Sequence, residues 1–344
     1  MSVLRAYQVE AVGKAREALS RLDRVMLSLP TGAGKTIVAV EVARRFASVL
    51  WLAHRKELIR QARKALDEAG LQRVAVKSVF LGVPEGRYDL LVLDEAHHAA
   101  CKTLRAILDR HRESKVLGIT ATPIRADRKV LLFQECLEVA DREALADAGW
   151  LVHAVVHSVR VTRNLEVTAW MEAHRDLVVP GVVFVSSHAE ARRYADRLAG
   201  FRVAVVRPDS DRARLLADLA EGRLDLLVSC LILTEGVDLP PLRGVVIARN
   251  AGDSSAVLQM VGRAMRPSAG KDVCHLVEPV AVGVERAPIA AAIHPARHLI
   301  HRWANGAWTS IEAAPTLPQA AQERTSAPWR TTSHDPRHDR PDRS

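Results

Sequence analysis

Residues Ser28 to Thr36 read SLPTGAGKT, directly after the apolar run Val25-Met26-Leu27 and before the helix-forming run Ile37 to Phe46. A buried strand that stops at a Gly-Lys-Thr loop and continues as a helix constrains the fold strongly. Such a strand takes parallel neighbours, with helices covering both faces of the sheet. Small residues let successive backbone N–H groups turn inward, and the helix N-terminus adds its positive end, so the loop is built to cradle phosphate. Pro30, Thr31, Gly32, Ala33 and Gly34 supply that cradle. Lys35 is placed to reach the β- and γ-phosphates of ATP, and Thr36 to hold Mg²⁺. The general loop pattern has Gly where this chain has Leu29. The competing reading is a Gly-rich turn with a chance Lys-Thr.

The surrounding pattern agrees with a parallel sheet. Val25–Leu29, Val49–Ala53, Leu90–Leu93 and Val116–Thr120 read as buried strands, with helices expected over 37–47, 56–69 and 102–112. The pattern restarts after about residue 140. Strands are expected at Val182–Val185, Val203–Val206, Leu226–Ser229, Val245–Ala248 and Val273–Leu276, with helices from Ser186 or Ser187 to Gly200 and from Arg212 to Glu221. The expected organisation is an α/β domain over 1–138, a second over 139–284, a short helical extension over 285–312 and a disordered tail over 313–344.

A second constellation follows the strand Leu90–Leu93. Asp94-Glu95-Ala96-His97 puts a carboxylate at a strand end beside the phosphate loop, where Mg²⁺ is held, with Glu95 next to it as the general base for water. The competing reading is a polar helix start after a buried strand.

With these residues in place the chain resembles the superfamily 2 helicases of the DEAD/DEAH-box-like kind. The resemblance is to the branch of type III restriction motor subunits and the RadD and XPB repair helicases, and it runs from about Leu4 to Glu278. It implies two tandem RecA-like domains with a nucleotide cleft between them. Leu4-Arg5-Ala6-Tyr7-Gln8 resembles the element before the loop, which places Arg5 and Gln8 at the nucleotide, Gln8 on the adenine edge. Trp51 to Leu58 resembles the motif whose Arg55 touches a nucleic-acid backbone. His97, Thr120 and Thr122 would couple hydrolysis to movement, the latter two in Thr120-Ala121-Thr122-Pro123. In Leu233 to Pro240, Thr234 would face the nucleic acid, and Gly236 and Asp238 the nucleotide. Gln259 to Pro267 resembles the arginine-finger motif, with Gln259, Arg263 and Arg266 at i, i+4 and i+7.

The resemblance implies an ATP hydrolase that steps along nucleic acid as its domains close and open, with DNA favoured over RNA. The formal charge of +9 is compatible with that partner. Arg192, Arg193, Arg197, Arg202, Arg207, Arg212 and Arg214 are its candidate phosphate contacts, or a solvated face. Four scattered cysteines without a CxxC pair argue against zinc and disulfides, and no run approaches the roughly 20 apolar residues of a membrane span, so a cytoplasmic setting is expected. Between Arg60 and Asp94 there is room for about one βαβ unit. Only Val76-Lys77-Ser78-Val79 offers itself there as a further strand-binding motif. Two other readings stand beside the motor: a shortened helicase-like binding module with weak ATPase, and a P-loop transferase of small substrates.

Overall fold

The structure, a computed structural model, describes residues 4–54, 56–96, 102–121, 133–230, 242–249, 261–262, 264–268, 270–284, 289 and 297–313. Two sheets, the first parallel and the second mostly so, organise it, in agreement with the two tandem domains expected from the motifs. The first has six strands: β1 (Arg24–Ser28), β2 (Val49–Ala53), β3 (Val74–Ser78), β4 (Leu90–Asp94), β5 (Lys115–Thr120) and β6 (Glu135–Glu138). They lie in the order β3-β2-β4-β5-β1-β6, all parallel. Parallel neighbours force long crossovers. These are α2 (Lys35–Ala43), α3 (Lys56–Glu68) and α4 (Lys102–Arg110), with α1 (Ala6–Arg21) ahead of the sheet and α5 (Arg142–Asp147) behind it.

β2 is buried at every position, and β1 and β4 at four of five, as expected of strands covered on both faces. Leu29, the departure from the loop pattern, is fully buried in this core, and its N–H bonds to the Thr120 carbonyl at 3.1 Å. Its side chain belongs to the sheet rather than to the loop.

The second sheet has eight strands: β7 (His153–Val161), β8 (Gly181–Phe184), β9 (Val203–Val206), β10 (Leu226–Ser229), β11 (Gly244–Ile247), β12 (Val273–Ala281), β13 (Arg297–Ala304) and β14 (Ala307–Glu312). Helices α6 (Val167–Ala173), α7 (Arg175–Val178), α8 (His188–Arg197) and α9 (Arg212–Ala220) connect its first half. Ser187 caps α8 by accepting the Glu190 N–H at 3.1 Å.

The expected helical extension over 285–312 is corrected for residues 297–312; of residues 285–296, only Ile289 is among those described. Residues 297–312 form an antiparallel hairpin, with β13 running parallel to β7 and extending the second sheet. The run RHLIHRWANGAWTSIE explains it: β-favouring residues flank Asn305-Gly306, both at positive φ, which is a hairpin signal. The expected disordered tail lies, after Ala313, outside the described residues.

The chain crosses from one core to the other at one peptide bond. Leu145, Ala146 and Leu151 pack in the first core, past the expected boundary at 138/139, whereas Val152 packs in the second. Among the described residues no helix is long and apolar enough to cross a membrane.

Candidate active site at the phosphate loop

The C-terminal ends of β1, β4 and β5 lie side by side, so the loop after Ser28, the Asp94-Glu95 pair and Thr120 share one edge. In open parallel sheets that edge is where ligands bind. The loop is tight. Gly32 and Gly34 have φ of 90° and 80°, and a Cβ on Gly34 would stand 2.6 Å from Gln8 Nε2. Neither position tolerates a side chain. Gly34 in the left-handed region also opens α2 at Lys35, so the helix N-terminus points at the cradle.

Gln8 sits at the back of this loop, 4% exposed. Its Nε2 donates to the Ala33 carbonyl at 3.1 Å and its Oε1 accepts the Arg5 N–H at 3.0 Å. The Tyr7 hydroxyl donates to the same Ala33 carbonyl at 2.9 Å. The start of α1 therefore braces the loop through two side chains, of which the sequence reading had singled out only Gln8.

Asp94 ends β4, and its carboxyl is pushed up to about 7 from the ordinary 3.8. Burial is the main cause and the neighbouring Glu95 charge the second. The Lys35 ammonium and the Glu95 N–H, which donates to Asp94 Oδ1 at 3.0 Å, pull the other way. The Trp51 side chain also pulls the Asp94 carboxyl down. Glu95 is buried and adopts φ 51°, one of two non-glycine residues at positive φ among those described. Backbone strain of this kind is retained where the surrounding fold aims a side chain. Lys35, Thr36, Asp94 and Glu95 thus gather a cation, a hydroxyl and two carboxylates at one sheet edge, a hard-oxygen set that suits a small divalent cation.

The second domain contributes through residues 261–262 and 264–266. Gly262 packs on the loop: a Cβ there would stand 2.2 Å from Thr31 Cβ, and one on Gly32 would stand 2.7 Å from the Gly262 carbonyl oxygen. The Lys271 ammonium donates to the Ala264 carbonyl and, at 3.5 Å, to that of Arg266. Met265 O accepts the Val152 N–H at 2.9 Å. Arg266, at the end of this segment, is exposed. Arg55, His97, Thr122, Thr234, Gly236, Asp238, Gln259 and Arg263 lie outside the described residues.

Thr120 is fully buried at its strand end. Of the second-domain arginines, Arg202 is committed to structure. It bonds the buried Asp225 at 2.6 Å, alongside Arg175 at 2.5 Å. Among the described residues no group of three or more His, Cys, Asp or Glu is placed to hold a metal ion, and Cys136, Cys230 and Cys274 form no disulfide.

Comparison with known proteins returned two family matches. The Type III restriction enzyme, res subunit family matches residues 1–82 and 75–125, and the Helicase conserved C-terminal domain matches residues 168–268. A Saccharomyces cerevisiae chain named as an ATP-dependent helicase, IRC3, is 25% identical over 85% of this chain and 54% of its own length. A Halobacterium salinarum chain named as a DNA 3'-5' helicase, Rad25, is 27% identical over 77% of this chain and 52% of its own. The chain thus spans about half the length of these relatives. Among solved structures, an HsdR fragment of a type I restriction enzyme from Vibrio vulnificus superimposes with TM-score 0.69 at 20% identity, covering 90% of this chain and 70% of that one. The Pyrococcus furiosus Hef helicase domain gives 0.52 at 15% identity, over 82% and 96%.

Proposed function

Because the chain belongs to the superfamily 2 helicases, in the branch of type III restriction motor subunits and XPB-like helicases, we propose that it is an ATP-dependent helicase or translocase acting on DNA. The observation that carries this reading is the seating of Gly262 on Thr31 and Gly32. It brings Gly262, four residues before Arg266, against the phosphate loop of the other domain. A site divided in this way is complete only when the domains are closed, so removal of the γ-phosphate releases the closure.

In this mechanism the loop N–H groups of residues 30–36 bind the phosphates, and Lys35 neutralises their developing charge. Thr36 and Asp94 would hold Mg²⁺, which would supply Lewis-acid stabilisation of the charge on the phosphates. Glu95 orients the attacking water and takes its proton. Arg263 and Arg266 stabilise the transferring phosphoryl group from the second domain, and Gln259 and His97 link the two sides. Gln8 and Arg5 meet the base. Thr120 and Thr122 transmit hydrolysis, Arg55 and Thr234 hold the nucleic-acid backbone, and Gly236 and Asp238 complete the nucleotide side.

DNA is chosen over RNA because the Halobacterium relative is named for DNA. The test is steady-state ATPase with no polymer, single-stranded DNA, duplex DNA and RNA, with Lys35→Ala as control. Stimulation by DNA is the expected result. Stimulation by RNA alone would move the reading to RNA, and none by any polymer would leave a nucleic-acid-independent ATPase or a binding module.

A further inference from the structure

Trp150 belongs to none of the motifs, yet it packs on Arg5 and Tyr7, at the start of the helix that braces the phosphate loop. Trp51 and Trp170 are fully buried, whereas Trp150 is 36% exposed. Its ring lies against Tyr7, with centroids 6.2 Å apart and planes tilted by 56°. The Arg5 guanidinium lies over it, 4.8 Å from the ring centroid. Tyr7 and Gln8 both bond the Ala33 carbonyl of the loop, so the indole, Arg5 and the loop form one cluster.

The backbone under Trp150 is held firmly. The N–H groups of Trp150 and Leu151 both donate to the Leu145 carbonyl, at 2.8 and 3.0 Å. The next two residues touch the two halves of the site. Leu151 Cδ2 would stand 3.3 Å from a Cβ on Gly32, and Val152 donates to Met265 beside Arg266.

We propose that Trp150 is the base platform of the nucleotide site, with the purine of the nucleotide stacking on the indole face that Arg5 covers here. This rests on the reading that Ser28–Thr36 binds a nucleoside triphosphate, and it adds a residue from the link between the domains. A purine offers a flat π face of the right size, and an indole is the largest platform a protein can present to it. Arg5, a planar cation with a flexible stem, leaves the indole and covers the other face of the base. The base then touches the residue whose neighbours contact Gly32 and Met265, so base occupancy is sensed at the pivot between the sheets.

The test compares ligands with and without a base in the full-length chain. Binding of ATP, ADP and inorganic tripolyphosphate is measured with Mg²⁺ by calorimetry for wild type, Trp150→Leu and Trp150→Phe. Trp150→Leu keeps apolar bulk but has no π face. It should weaken ATP and ADP by roughly 5- to 150-fold, the range of one base–aromatic stack, and leave tripolyphosphate unchanged. Trp150→Phe should retain most of the affinity. Equal loss for tripolyphosphate and ATP would make Trp150 a packing residue and overturn the proposal, as would unchanged ATP and ADP binding in Trp150→Leu. Lys35→Ala separates the two levels. It should weaken ATP and tripolyphosphate alike, and if it affects neither, the reading of the loop itself fails.

Discussion

Gly262 faces Thr31 across the two domains with no room for a methyl group, since a Cβ would stand 2.2 Å from Thr31 Cβ. Gly262→Ala therefore acts as a wedge at the domain contact while leaving each sheet intact. DNA-stimulated ATPase should fall at least tenfold, with the circular dichroism spectrum unchanged. Limited proteolysis between residues 148 and 152 reports the opening, and wild-type activity in Gly262→Ala would refute the closed arrangement.

Asp94 provides a pH test whose sign is fixed. Its carboxyl, pushed up to about 7 mainly by burial, binds a proton more tightly in the folded than in the unfolded chain. The nucleotide-free fold is therefore favoured below the ordinary value of 3.8, and that advantage is lost as pH rises towards 7. One proton accounts for at most about 1.4 kcal/mol per pH unit. Asp94→Asn should flatten this part of the stability profile, measured by urea unfolding without nucleotide, while lowering kcat by more than about 100-fold in the presence of Mg²⁺.

The histidines of the second sheet give the opposite slope. His157 bonds His301 at 2.9 Å through Nδ1 and His275 at 3.0 Å through Nε2. The two bonds use opposite ring nitrogens, so these groups form a chain of imidazoles rather than converging on an ion. Burial first, then the neighbouring histidines, lowers His157 to about 3; burial and His174 lower His301 to about 4. The unfolded chain protonates first, near 6.5, so stability is full above that value and falls as pH drops towards 4. The slope is about 1.4 kcal/mol per pH unit for each imidazole. Hydrogen exchange at pH 5 should therefore show β13 and β14 loosening before β8 and β10.

Lys271 places its ammonium on the carbonyls of Ala264 and Arg266, where burial lowers its pKa. Lys271→Met keeps the stem and removes the donors. If Lys271 positions the arginine segment, kcat should drop roughly tenfold, or about 1.4 kcal/mol of transition-state stabilisation, with KM for ATP nearly unchanged. Matching losses in kcat and in melting temperature, rescued equally by Lys271→Leu, would make its role structural only.

The parallel strands were legible because double-sided burial writes continuous apolar runs, as in Val49–Ala53 and Leu90–Leu93. The hairpin at 297–312 was not. Pro288, Pro295 and the alanines ahead of it suggested broken helices, and its partner β7 lies more than a hundred residues away in sequence. Asp94 and Glu95 were legible from their place after a strand. Tyr7, Trp150 and Lys271 were not, because each acts through a carbonyl or a ring face that only the fold brings near. Arg202, one of seven arginines open to either a phosphate contact or a solvated face, is the partner of Asp225, since sequence cannot tell which arginines are already engaged.

Leu151 and Val152 are adjacent in the chain but buried in different cores. A tether one peptide long leaves the two sheets no means of drawing apart while both cores stay intact. Opening is then a rotation about a point beside the phosphate loop, in the manner of a lever on a short fulcrum. Small displacements at Gly32 or Met265 become the largest movements at the far strands, β3 on one sheet and β9 on the other. The travel at those strands is set by the length of the arms.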